Sequence, residues 1–114
     1  MYGARVKKSR GPLTVFALPN SMSHPRLGLS VGRRAGGAVV RNRLKRLLRE
    51  AFRLAQHELP RHEGGGYDFV VSTKAHDPLA LADYQRLLLE LAGQLHAECQ
   101  RRERRKEERA KDAP

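Results

Sequence analysis

No run in this 114-residue sequence approaches the roughly 18 consecutive apolar residues that a membrane-spanning helix needs. The N-terminus has no apolar signal region, which argues against export. Cysteine is limited to Cys99, so no internal disulfide can form, a composition that fits a reducing cytoplasm. Acid is missing where base is dense. Residues 1–54 hold thirteen Lys and Arg against the single acid Glu50, a net of +12, whereas residues 55–114 hold ten against eleven, a net of −1. The whole excess behind the formal charge of +11 therefore lies in the first half. Charge that served only solubility would be spread along the chain, whereas charge concentrated in this way suits a polyanion. A membrane surface fits less well, because a membrane binder must spare an apolar face for lipid and the apolar faces here are needed for a core.

The length fits one domain with one modest core, here residues 1–99, followed by a charged tail at 100–114. Met1 to Gly11, short and basic with two glycines, reads as an extended arm or loop. Leu13 to Leu18 is rich in strand formers and ends at the turn signal Pro19-Asn20. Arg26 to Val31 follows, with Leu27, Leu29 and Val31 alternating with Arg26, Gly28 and Ser30, and hairpin pairing of the two strands is expected. Gly32 to Gly37 is a basic glycine-rich linker. A helix is expected from about Ala38 to His57, because Val40, Leu44, Leu47, Leu48, Ala51, Phe52 and Ala55 fall on an arc of roughly 140°. Pro60 ends it. Tyr67 to Thr73 reads as a third and central strand, His76-Asp77-Pro78 as a turn, and Ala82 to at least Cys99 as a last helix with Tyr84, Leu88, Leu91 and Leu95 buried. Residues 100–114 have no apolar stripe; they either extend that helix into solvent or stay disordered. The order predicts an α+β sandwich with helices on one face of a small sheet.

The central helix carries the strongest chemical signal. Arg41, Arg43, Lys45, Arg46, Arg49 and Arg53 lie opposite or beside the apolar stripe, offset only by Glu50. Cations so crowded repel one another unless a polyanion neutralises them. Arginine's planar fork suits bidentate phosphate contacts and stacking on bases, and Asn42 among them can both donate and accept toward a base edge or a 2′-hydroxyl. The plain alternative is a solvated basic face, against which stands the absence of interleaved acids. Arg33 and Arg34 precede the helix beside Gly36 and Gly37, where backbone can pass close to phosphate and the helix N-terminus adds positive potential; a simple turn is the other reading. Alternation along Leu13 to Leu18 leaves Phe16 either on an open sheet face, as a stacking platform for an unpaired base, or in the core, depending on register.

A protein-borne cleavage site is not visible. Asp68, Asp77 and Asp83 are scattered over separate elements, so no two-metal carboxylate site emerges. His57 and His62 flank a helix end and a loop. His96 and Cys99 stand three residues apart, but two ligands do not make a zinc site. No phosphate-cradling glycine loop and no Ser/His/Asp arrangement can be argued for.

Residues 26–53, RLGLSVGRRAGGAVVRNRLKRLLREAFR, resemble the signature of the bacterial ribonuclease P protein family: a strand ending in a GLSV-like run, a basic glycine-containing linker, and a helix bearing RNR-x-KR-x-x-R. Here those helix positions are Arg41, Asn42, Arg43, Lys45, Arg46 and Arg49. The likeness extends over roughly residues 3–98. It implies a small α+β sandwich like the second domain of a ribosomal small-subunit protein, with a left-handed βαβ crossover that breaks the usual rule. It implies further that the RNR helix contacts the catalytic ribonuclease P RNA; Arg33 and Arg34, just ahead of it, are expected to join the RNA-binding set. The single-stranded 5′ leader of precursor tRNA would lie in a cleft near Thr14 and Phe16, with Ser30 and Arg33 matching positions near its edge. Catalysis would belong to Mg2+ ions held mainly by the RNA, with no catalytic side chain, no small-molecule substrate and no membrane partner on the protein. One departure stands out. The family normally opens with a further helix ahead of the glycine that matches Gly3, and this sequence begins at Met1-Tyr2-Gly3, so either the true start lies upstream or the cleft is missing that wall. A structural or ribosomal RNA-binding protein would share the charge and fold without any role in cleavage. A protein-only nuclease would need acids or histidines beside the basic face. A helix-turn-helix DNA binder fits least, because the glycine-rich linker follows a strand.

Overall fold

Alternation in two strands sets the frame. Leu13, Val15 and Ala17 are at most 1% exposed, and they stand opposite Thr73, Val71 and Phe69 in an antiparallel pair. In the computed structural model, which describes residues 6–112, the elements run β1 (Val6–Arg10), β2 (Leu13–Pro19), β3 (Arg26–Ser30), α1 (Ala38–Ala55), β4 (Tyr67–Thr73) and α2 (Leu81–Asp112). Short 3-10 turns at Arg33–Ala35 and Gln56–Glu58 bracket α1. The sheet order is β1-β2-β4-β3; β3 and β4 are parallel, joined by α1 as the crossover, and the other pairs are antiparallel.

Both helices cover one face of this sheet. Leu44, Leu48 and Ala51 of α1 and Tyr84, Leu88, Leu91, Ala92 and Leu95 of α2 join Val15, Ala17, Phe69 and Val71 in one apolar cluster. Each fully buried Leu there is worth about 1.5–3 kcal/mol over exposure. No helix of the described residues covers the opposite face, where Thr14 and Phe16 are half-buried and Val70 is exposed.

Several local expectations are corrected. Val6 to Arg10 is an edge strand rather than an arm, paired with β2 from Val6↔Ala17 to Arg10↔Leu13. Only Val6 of it is buried, so hydrophobic pattern could not reveal it; the ladder with β2 holds it, and Gly11, at φ +58°, makes the turn. Residues 1–5 of the expected arm lie outside the described residues. The predicted hairpin of β2 with β3 does not form: β4, apolar through its middle, inserts between them as the central strand, and β3, with Gly28 at its centre, takes the edge. Val40, counted in the helical stripe, is 43% exposed; it sits over Gly36 at the first turn of α1, while Leu44, Leu48, Ala51 and Ala55 are buried. Beyond Gln100 the chain continues as helix to Asp112, with Arg101–Glu98 and Arg102–Glu98 ion pairs at its base.

Candidate nucleic-acid interface

Because the leucines of α1 point into the core, its cations point out. Asn42, Arg43, Arg46, Arg49 and Arg53 are exposed, and Arg41 and Lys45 are half-buried. The one acid on this helix is already engaged: Arg53 donates through Nε and Nη2 to the two carboxylate oxygens of Glu50, at 3.0 and 2.5 Å. That contact holds the Glu50 carboxyl below its ordinary pKa. Among the described residues, none of Arg33, Arg34, Arg41, Arg43, Lys45, Arg46 and Arg49 joins a salt bridge. Arg41 Nε is buried with no hydrogen-bond partner among them. The helix starts at Gly37 with no side-chain cap and no acid in its first turn, so its N-terminal positive potential is uncompensated. Arg33 and Arg34 stand exposed just before it.

The open sheet face has its own order. Register places three rows across the strands: Ser9, Thr14, Ser72, Ser30; then Lys7, Phe16, Val70, Gly28; then Leu18, Asp68, Arg26. Phe16 is therefore on the open face, half-buried, with Lys7 Nζ 5.8 Å from its ring centroid. Ser9 Oγ and Thr14 Oγ1 are 2.8 Å apart. At the far row Arg26 donates to both oxygens of Asp68 at 2.7 and 2.6 Å, and Asn20 Nδ2 donates at 2.7 Å. The Arg26 contact above all holds the Asp68 carboxyl below the ordinary range. Thr14 and Ser30, distant in sequence, thus share a row through Ser72. The sequence pattern does not disclose Lys7, Ser9 and Ser72 as their neighbours, since only strand register reveals it.

Four further titratable groups, His62, Tyr67, His96 and Cys99, sit in structural contacts. Gly64 N–H donates to His62 Nδ1 at 3.0 Å, which leaves Nε2 to donate to the Asn20 carbonyl at 2.8 Å, tying two loops together. Tyr67 Oη lies 2.8 Å from His96 Nδ1, and burial pushes both the Tyr67 phenol and the Cys99 thiol up, so the thiol is poorly suited to nucleophilic work. Among the described residues no group of three or more His, Cys, Asp or Glu is placed to hold a metal ion. None of their helices is long and apolar enough to cross a membrane.

Known proteins resemble this arrangement. A family model described as Ribonuclease P matches residues 1–97. The ribonuclease P protein component of Pasteurella multocida (strain Pm70) is 48% identical over 69 residues, covering 60% of this chain and 54% of that protein. That of Idiomarina loihiensis is 44% identical over 70 residues, covering 60% and 52%. The chain spans about half the length of the curated relatives it matches. Among solved structures, the RNase P protein from Thermotoga maritima superposes with a TM-score of 0.66 at 28% identity, covering 80% of this chain and 84% of that one. The Staphylococcus aureus RNase P protein gives 0.60 at 26%, covering 79% and 80%. With a family match over 97 residues and a shared fold, the chain belongs to the ribonuclease P protein family.

Proposed function

We propose that this chain works as the protein subunit of ribonuclease P in the cytoplasm, assisting removal of the 5′ leader from precursor tRNA. The exposed face of α1, with Arg41, Asn42, Arg43, Lys45, Arg46 and Arg49, and the adjoining Arg33 and Arg34, would bind the catalytic RNA. The open sheet face, with Thr14, Phe16 and Ser30, would receive the single-stranded leader. The observation that carries this reading is the row of α1 cations left without acid partners, which a phosphate backbone satisfies and solvent alone does not explain. Phe16 beside Lys7 offers a base a stacking surface with a cation at its flank.

In this reading the hydrolysis itself uses Mg2+ held mainly by the RNA. Among the described residues no carboxylate cluster is placed to hold a metal, and the protein's contribution in this reading is positioning and charge screening. The test is reconstitution of the purified protein with a bacterial ribonuclease P RNA at low Mg2+, following cleavage of a leader-bearing precursor tRNA, alongside the protein without RNA. Stimulation that requires the RNA is the expected result. Tight RNA binding without stimulation would favour a structural RNA-binding role, and cleavage without RNA would favour a protein-only nuclease.

A further inference from the structure

At the end of the open face where β1 turns into β2, a cavity of about 290 Å³ is lined by Ser9, Thr14, Ser72, Thr73, Arg34 and Lys74. The hydroxyls of Ser9, Thr14 and Ser72, which share one row of the open face, meet two cations there, and no acid lines it. Thr73 borders the cavity, but it pairs with buried Leu13, so its own buried hydroxyl turns to the helix-covered side of the sheet. The Lys74 backbone N–H donates to the Pro12 carbonyl at 3.1 Å, which fixes the rim on which Lys74 stands. Arg34 comes from the 3-10 turn before α1, so the cavity joins three separate parts of the chain.

We propose that this cavity is an oxyanion pocket for one phosphodiester of the single strand on the open sheet face. The proposal rests on the leader-binding reading of that face and adds a discrete anchoring point to it. Two unopposed cations beside hydroxyls that can donate match a phosphate's acceptor oxygens and its charge; a neutral base edge would leave that charge unanswered. Thr14 and Phe16 are neighbours on one side of β2, about 7 Å apart along the strand, so one nucleotide chain reaches both the stacking ring and the pocket. The pocket thereby fixes the register of the strand, while the ring holds it without regard to sequence.

The experiment uses the holoenzyme reconstituted with ribonuclease P RNA and precursor tRNAs carrying one neutral methylphosphonate at successive leader positions. In the native protein one position should weaken substrate binding about tenfold, the size of a lost charge-assisted hydrogen-bonded contact. In Ser72→Ala and Lys74→Ala the same position should change binding less than about twofold. The absence of any position coupled to these variants, in an enzyme whose leader binding still depends on Phe16, would overturn the pocket. Loss of Phe16 dependence as well would overturn the leader-binding reading beneath it.

Discussion

Phe16 faces Val70 directly across the antiparallel β2–β4 pair, on the side of the sheet that no helix of the described residues covers. Half-buried there, the ring keeps part of its surface open to a stacked base. Phe16→Ala is expected to weaken binding of leader-bearing precursor by about 1–3 kcal/mol, the worth of one base stacked on an aromatic ring, and to leave mature tRNA nearly unaffected. Equilibrium binding of the two RNAs to the reconstituted enzyme checks this, and equal losses would contradict it.

Replacing Arg41, Arg43 and Arg46 together by alanine should weaken binding of the RNA subunit and flatten its salt dependence. The slope of log affinity against log salt should fall by roughly one unit per phosphate contact removed. Salt titrations of the native and triple variant proteins give the answer. An unchanged slope would take the RNA interface off this helix face.

The Arg26–Asp68 pair joins edge strand β3 to central strand β4 and has a pH signature. Asp68 is depressed by its contact with Arg26, so the folded state holds its proton less tightly than the unfolded state does. The stabilisation is complete above the ordinary Asp range near ~4 and disappears as pH falls through the lower folded value. Asp68→Asn should therefore lose stability at neutral pH and show a shallower decline under acid. Chemical denaturation between neutral and acid pH would reveal parallel curves if the pair contributes nothing.

Tyr67 works in the opposite direction. Burial raises its phenol, so its contribution is complete below the ordinary Tyr value near ~10 and is lost as pH rises toward the higher folded value. Tyr67→Phe should cost about 0.5–1.5 kcal/mol at neutral pH through the lost contact with His96, and should flatten the alkaline decline. Denaturant midpoints on either side of that range test both halves of the statement.

Leu48 and Leu95 are fully buried, one from each helix. Either changed to alanine should cost about 2–5 kcal/mol in unfolding free energy. Urea unfolding measures it, and a cost below about 1 kcal/mol would mean the helices are not packed on the sheet as described.

What could be read in the sequence was what repeats locally. Helical spacing gives α1 and the start of α2 to within a residue or two, but α2 runs on to Asp112 through residues that carry no apolar stripe to announce it, and the opposition of leucines to arginines on α1 is already the separation of core from charged face. Alternation gives β2, β3 and β4, and the apolar middle of Tyr67–Thr73 marks the central strand. Partnership between strands is another matter. Nothing local distinguishes β2 paired with β3 from β2 paired with β4; the choice is a tertiary one, in which β4 takes a strand neighbour on each edge. β1 escapes for the same reason, having one apolar residue and a ladder that only tertiary structure supplies. The row joining Thr14 to Ser30 through Ser72 is a fact of register, and the neighbourhood of Ser72, Lys74 and Arg34 is one of tertiary packing.

The position of β1 at the margin of the sheet bears on how the free protein behaves in solution. An uncovered strand offers its backbone to any second sheet that approaches, and such contacts grow into aggregates. Within its five residues β1 carries Lys7, Lys8 and Arg10, so two such margins meeting at strand spacing, ~4.8 Å, would press like charges together. The repulsion that makes the cationic chain costly to hold alone is then also what keeps its copies apart. A polyanion that screens these lysines removes that safeguard, so mixtures with scarce RNA and abundant protein should scatter light before mixtures in which either is absent.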